Sequence, residues 1–160
     1  MGSRSKNTEL AYIAGFLDGD GSLMLQIKKR KDTKRGFRFM ATICLYQDSR
    51  HEQPLHWIRN VLGIGYVSRR NDGMSELRIN GFKRVRNILT ELEPYIKFKE
   101  KQTKALLEAC QILSETSYAR LSDKQLKKIS ELVIRIQNEN YGSSRKKGKK
   151  EIGKLLGLTP

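Results

Sequence analysis

Residues 13 to 21 read Ile-Ala-Gly-Phe-Leu-Asp-Gly-Asp-Gly, and this stretch restricts the fold more than any other in the chain. A helix running through Glu9-Leu10-Ala11-Tyr12-Ile13-Ala14-Gly15-Phe16-Leu17-Asp18, capped at Asn7 or Thr8, is stopped by Gly19 and Gly21. Ala14, Gly15 and Gly19 recur at helical spacing and leave a strip with almost no side chain, so a second helix can approach with its backbone nearly in contact. Asp18 and Asp20 fall at the helix C-terminus, where the dipole is negative and carbonyls lack partners, an unfavourable place for two anions. A hard cation relieves that conflict, and carboxylate plus free carbonyl oxygens suit Mg²⁺, especially with phosphate oxygens completing its shell. An EF-hand loop also begins Asp-x-Asp-x-Ser, but its sixth position here is Leu23 instead of Gly and its twelfth is Lys29 instead of Glu. A helix-ending turn in which the two carboxylates only satisfy backbone amides is the remaining structural alternative.

The chain beyond the motif is patterned for two antiparallel ribbons. From Ser22 to Arg30, apolar Leu23, Leu25 and Ile27 alternate with Ser22, Met24, Gln26 and Lys28; a second β-rich stretch, Arg38 to Gln47, comes after a Lys34-Arg35-Gly36 turn. Leu55 to Leu62 has helical spacing and closes on Gly63. Ile64 to Arg70 and Met74 to Asn80 then form a hairpin around Asn71-Asp72-Gly73. Phe82 to Leu92 is amphipathic and ends at Pro94, Ile96 to Leu113 predicts a longer helix, Ser122 with Gln125 forms a capping box before another, and Glu151 to Leu156 predicts a short last one. The order is αββαββα with further C-terminal helices, an α+β fold. We expect one domain over residues 1–160, with a core at about 8–140 and a basic segment at 141–160.

Charge points to the partner. The chain carries 32 Lys and Arg against 17 Asp and Glu, a net +15, and each cation that neutralises a phosphate gains the entropy of a released counterion. Seven of these cations lie between Lys28 and Arg38 with only one acid, Asp32, and a second run, Arg145 to Lys150, reads RKKGKK. A strand of nine residues spans about 30 Å, close to one turn of B-DNA, and a two-stranded ribbon enters the major groove. The polar face of the first ribbon presents Gln26, Lys28, Arg30, Arg38, Met40 and Thr42; that of the second presents Ser68, Arg70, Glu76, Arg78 and Asn80. Gln, Asn, Arg and Glu make directional contacts to base edges, which a surface for phosphates alone does not need. An ordinary solvated sheet face is the plain alternative. Cys44 and Cys110 sit in apolar stretches without neighbours at ligand spacing, which argues against a disulfide framework or zinc site. No apolar run reaches the roughly 18 residues of a membrane span, and MGSRSKNTEL lacks the apolar core of a signal peptide, so we expect a soluble intracellular protein and no membrane partner.

Ile13 to Gly21 resembles the LAGLIDADG motif, and the chain resembles the single-motif, intron-encoded LAGLIDADG homing endonucleases from about residue 9 to 112. Leu62-Gly63-Ile64-Gly65-Tyr66-Val67 and the stretch from Pro94 to Gln102 carry the likeness further, while the C-terminal helices match loosely. The resemblance implies a saddle-shaped antiparallel sheet that binds double-stranded DNA. It also implies Mg²⁺ as cofactor, with Mn²⁺ able to substitute and Ca²⁺ supporting binding without cleavage. On these positions it implies Asp20 as metal ligand assisted by the Gly19 carbonyl, Gln47 as a residue positioning water, and Lys99 as a residue stabilising phosphate charge or activating water. Where relatives often carry a pocket arginine this sequence has His51, with Arg50 beside it, and either can serve. Ala14, Gly15, Asp18 and Gly19 are implied at a helix interface between two chains.

A double-strand break needs two active sites, and the chain holds one motif and no internal repeat, so two copies must meet as a homodimer on a long, near-palindromic site. The implied reaction is Mg²⁺-dependent phosphodiester hydrolysis across the minor groove, leaving short 3′ overhangs. A splicing maturase of the same fold, a DNA-binding regulator that does not cleave, and an anionic-membrane or ribosomal binding protein are the rival readings; Asp20, Gln47 and Lys99 together favour cleavage. An organelle (chloroplast or mitochondrion) or an archaeal cytoplasm is the expected location for an intron-encoded protein of this kind.

Overall fold

Helix α1 spans Gly2–Asp20 in the computed structural model, which describes residues 2–140 and 146–158. It begins earlier than expected, so Asn7 and Thr8 lie inside the helix instead of capping it; Lys6 anchors this first part to Glu91 at 3.0 Å. Leu10, Ile13, Ala14 and Leu17 are buried along one side of α1 at helical spacing. Gly21 then lets the chain turn tightly into the sheet: a Cβ there would lie 2.7 Å from the Leu17 carbonyl oxygen and 2.9 Å from its Cα, which no L side chain accommodates without moving backbone.

Strands β1 (Gly21–Lys29) and β2 (Phe37–Asp48) form the first ribbon, and β3 (Tyr66–Arg69) and β4 (Met74–Asn80) the second. They join in one antiparallel sheet of order β1-β2-β4-β3. Register is set by burial. Leu23, Leu25 and Ile27 of β1, Phe37 to Leu45 at odd positions of β2, and Leu77 and Ile79 of β4 all turn to one side and into the core, so a slip of one residue would reverse both faces. The turn of the second ribbon is closed by the Arg70 N–H on the Met74 carbonyl at 2.7 Å, with Gly73 at φ 79°. Arg35 of the first ribbon donates to the Leu121 carbonyl at 2.8 Å, so that part of the basic run is structural.

Helix α2 (Gln53–Leu62) ends on left-handed Gly63, and α3 (Phe82–Leu92) ends as expected where Pro94 imposes a single 3₁₀ turn. Helix α4 (Glu100–Glu115) starts four residues later than the periodicity predicts, because the backbone of residues 97–99 is engaged by a carboxylate of α1. The capping box is present: Ser122 and Gln125 bond reciprocally at the start of α5 (Asp123–Glu139). Helices α1, α2, α3, α4 and α5 share one hydrophobic core with the odd-numbered sheet residues. That core does not stop at residue 140. Ile152 and Leu156 of the segment around α6 (Lys149–Leu155) are buried in it, and Lys147 donates to the Ile27 carbonyl on the outer edge of β1 at 3.1 Å. Of the RKKGKK run, Arg145 lies outside the described residues. No helix among the described residues is long and apolar enough to cross a membrane.

Candidate active site and nucleic-acid interface

The two carboxylates of the motif are separated by burial. Asp18 is 9% exposed and accepts three successive backbone N–H groups, from Lys97 (2.7 Å), Phe98 (3.2 Å) and Lys99 (3.0 Å). Charge-assisted hydrogen bonds of this kind contribute about 1.5–3 kcal/mol each, which offsets placing an anion at the negative end of α1. The expectation that Asp18 stands at a helix interface is therefore corrected: its side chain faces into its own chain and fixes the segment leading to α4. Ala14, at 0% exposure on the same side of α1, is likewise inside the core and not on the facing strip.

Asp20 is exposed and takes part in no hydrogen bond or ion pair among the described residues. The clamp on residues 97–99 brings Lys99 beside it. Lys99 Nζ donates to the Asp18 carbonyl oxygen at 2.5 Å. Burial pushes the Lys99 pKa below the usual lysine value, and the Asp18 and Asp20 carboxylates oppose that shift. A carboxylate on a helix end, an ammonium held half-buried beside it and open space in front can hold a cation and a phosphate together. No three His, Cys, Asp or Glu side chains converge into a complete cation cage among the described residues. The donor set is one exposed carboxylate with backbone carbonyls nearby, which fits Mg²⁺, an ion that keeps open positions for phosphate oxygens and water, and does not fit a soft metal.

Gly21 pairs with Leu45, so Gln47 stands two residues further along β2 from the place where α1 delivers Asp20. The Gln47 amide oxygen accepts the Asp48 N–H at 2.8 Å, and its NH₂ group makes no hydrogen bond among the described residues. Asp48 then caps the 3₁₀ turn Ser49–His51 and holds Arg50 through Nε at 3.1 Å and NH2 at 2.8 Å. The Arg50 guanidinium holds the Asp48 carboxyl well below the usual carboxylate range. Arg50 is thus occupied, whereas His51 is exposed and makes no hydrogen bond among the described residues. Beneath this turn Glu52, with a 13% exposed side chain, accepts from Arg69 NH2 at 2.8 Å and Ser75 Oγ at 2.5 Å, and Ser75 meets Ser49 at 2.8 Å.

The polar face of the sheet is formed by even-numbered residues. Register lines up Lys28 with Arg38, Gln26 with Met40, Met24 with Thr42 and Asn80, Cys44 with Arg78 and Tyr66, and Tyr46 with Glu76 and Ser68. Lys28, Arg30 and Arg38 are exposed, and Gln26, Met40, Ser68, Arg78 and Asn80 are half-buried on this face, as expected. Thr42 is a correction. It is fully buried, and its hydroxyl is spent on Asn80 Oδ1 at 2.7 Å, so it supports a neighbour and offers nothing to a ligand. Glu76, 8% exposed, is tied to Arg78. Arg70 pairs with Asp72 at 2.9 Å and lies 5.9 Å from the Tyr46 ring centre. Tyr46 and Tyr66 also belong to this face, although sequence reasoning passes them over; extending the alternation of Thr42 and Ser68 by two to four residues along their own strands finds both.

The exposed side of α1 presents Tyr12, Gly15 and Gly19, with nothing within 4 Å of a Cβ built on either glycine. Tyr12 stands edge-on to Trp57 of α2 at 5.6 Å, and Phe98 is 86% exposed between Lys97 and Lys99.

Residues 13–113 match the LAGLIDADG endonuclease family. The chain is 33% identical over 108 residues to DNA endonuclease I-CvuI of Chlorella vulgaris, covering 68% of this chain and 67% of that protein. It is 30% identical over 146 residues to DNA endonuclease I-CreI of Chlamydomonas reinhardtii, covering 91% and 87% of the two. Its structure matches that of I-CvuI in complex with its target in the presence of Ca at a TM-score of 0.86 and 27% identity, over 99% of this chain and 100% of that one. With the motif, the sheet and the site in agreement, the chain belongs to the LAGLIDADG endonuclease family.

The Glu52 network yields a pH dependence. Its hydrogen bonds to Arg69 and Ser75 hold the Glu52 pKa at about 2, below the ordinary 4.5. A carboxylate with a depressed folded-state pKa adds stability that is fully present above the unfolded value and is lost as pH falls through the folded one. Glu52→Gln therefore lowers the melting temperature by roughly 2–6 °C at pH 7, and the gap to wild type closes as pH falls from 4.5 toward 2. A gap unchanged across that range in thermal melts would contradict this role.

Proposed function

We propose that two copies of this chain bind a long, near-palindromic DNA duplex and hydrolyse one phosphodiester bond in each strand, as a Mg²⁺-dependent site-specific endonuclease. The observation that carries the reading is the exposed Asp20 carboxylate at the end of α1, beside half-buried Lys99 that Asp18 holds in place, next to a polar, basic sheet. I-CvuI has been seen with target DNA in the presence of Mg and of Ca, which supports a divalent-ion requirement in this chain too.

Each residue then has a task. Asp20, assisted by the Gly19 carbonyl, holds the ion. The ion supplies Lewis-acid stabilisation of the charge developing on the phosphate. Lys99, kept in place by the Asp18 carbonyl and by its own N–H on Asp18, adds a fixed positive charge toward the same phosphate. Gln47 turns its NH₂ group to the attacking water, and His51, not the occupied Arg50, is the pocket's additional polar group. Mn²⁺ replaces Mg²⁺, and Ca²⁺ supports binding without turnover. The host of such an enzyme is an intron-bearing organelle or archaeal genome.

The sheet is prepared for a polyanion. Lys28 and Arg38 are direct cross-strand partners, and like charges in that position cost stability unless an anion lies over them. Exposed Lys146, Lys149 and Lys150, carried on a segment that Lys147 pins to β1, extend the same positive surface. The second copy docks on the exposed side of α1, where Gly15 and Gly19 permit close helix approach and Tyr12, Trp57 and Phe98 supply apolar area around them.

Duplexes selected from a randomised library in Ca²⁺, then supplied with Mg²⁺, test the activity. Wild type cleaves both strands of a near-palindromic winner, while Asp20→Asn binds the same duplex but cleaves it roughly 10³-fold or more slowly. Cleavage by Asp20→Asn at the wild-type rate would remove Asp20 from the mechanism. Gly15→Leu, where the side chain has room in the single chain, keeps the helical spectrum and shifts the mass in sedimentation from dimer to monomer; an unchanged dimer mass would refute this interface.

A further inference from the structure

Arg78 and Glu76 stand in the middle of the polar face, because β4 has β2 on one side and β3 on the other. Their rows contain Cys44 and Tyr66, and Tyr46 and Ser68. Glu76 is the only carboxylate on this face of the four strands apart from Asp48 at the very end of β2. In a surface built to meet phosphates an acid is a liability, so its presence at the centre, 8% exposed, needs a specific reason. The contacts supply one. Glu76 Oε1 accepts from Arg78 Nε at 2.7 Å, and its other oxygen lies 3.8 Å from Cys44 Sγ. The bond holds the Arg78 pKa above its already high ordinary value.

The atom Glu76 engages matters. By binding Nε, on the side of the guanidinium, it leaves the two terminal nitrogens without a hydrogen bond among the described residues, a fork whose geometry matches guanine O6 and N7 in the major groove. An unbraced arginine must lose its rotamer freedom on binding, whereas here a buried carboxylate has already removed much of it. Position separates Arg78 from its basic neighbours. Lys28, Arg30 and Arg38 are exposed toward one end of the ribbon, suited to the phosphate backbone, while the Arg78 side chain is 27% exposed on the central strand, where the groove floor and its base edges would lie.

Resting on the DNA-reading role proposed above, we infer that Glu76 is a positioning residue that locks Arg78 into reading a guanine at one symmetric pair of positions in the target. Glu76 does not read a base of its own; if it did, its carboxylate would accept from a cytosine N4 amine at a different base pair. The two possibilities have different signatures in sequence preference.

Binding selections from a randomised duplex library in Ca²⁺, with full-length wild type, Glu76→Gln, Arg78→Ala and Arg78→Lys, decide between them, with thermal melts to verify folding. Wild type prefers guanine at one position per half-site by about tenfold or more. Arg78→Ala and Arg78→Lys lose that preference, the lysine because it keeps the charge but not the fork. Glu76→Gln weakens the preference about threefold or more at the same position, leaving every other position unchanged. A change in Glu76→Gln at a different position, or no change at any, overturns the inference, and so does an Arg78→Ala variant that loses affinity equally for all sequences. If Glu76→Gln does not fold, unchanged guanine preference in Arg78→Lys still refutes the fork. Failure of wild type to enrich any sequence would instead refute the DNA-reading function, and this inference with it.

Discussion

One buried carboxylate organises the site. Asp18 sits where a helix dipole disfavours an anion, and it is stable there because three consecutive N–H groups from residues 97–99 converge on it. Those residues lie far away in the chain, so the contact ties the first helix to the start of the fourth. It delays α4 to Glu100, brings Lys99 beside Asp20 and leaves Phe98 pointing outward. Two acids separated by one glycine therefore do opposite things. Asp18 uses its charge to fold the chain, and Asp20, just beyond it and exposed, keeps its charge for a ligand.

The sheet shows the same division between its two sides. Odd positions are spent on a core shared with helices α1 to α6, and this fixes the register that puts every even position on the other face. On that face the chain accepts local electrostatic cost, with Lys28 opposite Arg38 and a net charge of +15 overall. Such an arrangement is most stable with a polyanion over it, so part of the binding energy is relief of repulsion already present in the free protein, and binding should weaken steeply with salt. The polar groups nearest the middle are not left free: Thr42 holds Asn80, and Glu76 holds Arg78. Preorganisation of this kind favours selectivity over sheer affinity.

Much of this is legible in the sequence because it depends on local patterns. Alternation over Leu23, Leu25 and Ile27, the Asp72-Gly73 turn and the Ser122–Gln125 box each specify a local structure without help from distant residues, and all appear where expected. Asp20, Gln47 and Lys99 stand out through the family likeness, and the fold brings Lys99 to Asp20 and puts Gln47 nearby on β2. The features that sequence reasoning misplaces are long-range or depend on helical phase. Small-residue spacing puts Ala14 on an exposed strip and the family likeness puts Asp18 beside it, although Leu10, Ala14, Leu17 and Asp18 share one helical stripe and face the core. Periodicity starts α4 too early because it continues through Ile96, while the hydrogen bonds that keep residues 97–99 out of the helix come from Asp18. Alternation puts Thr42 on the right face, but its burial depends on neighbours from two other strands.

The division of labour between the two aspartates is most directly tested by thermal melts of wild type, Asp18→Asn and Asp20→Asn, recorded side by side without DNA or metal. Asp18→Asn, which weakens three buried charge-assisted hydrogen bonds, melts roughly 5–10 °C below wild type. Asp20→Asn, which removes an exposed anion from the negative end of a helix, melts within about 2 °C of wild type or above it. Equal losses in the two variants, or a larger loss in Asp20→Asn, would contradict the claim that one carboxylate builds the site and the other serves it.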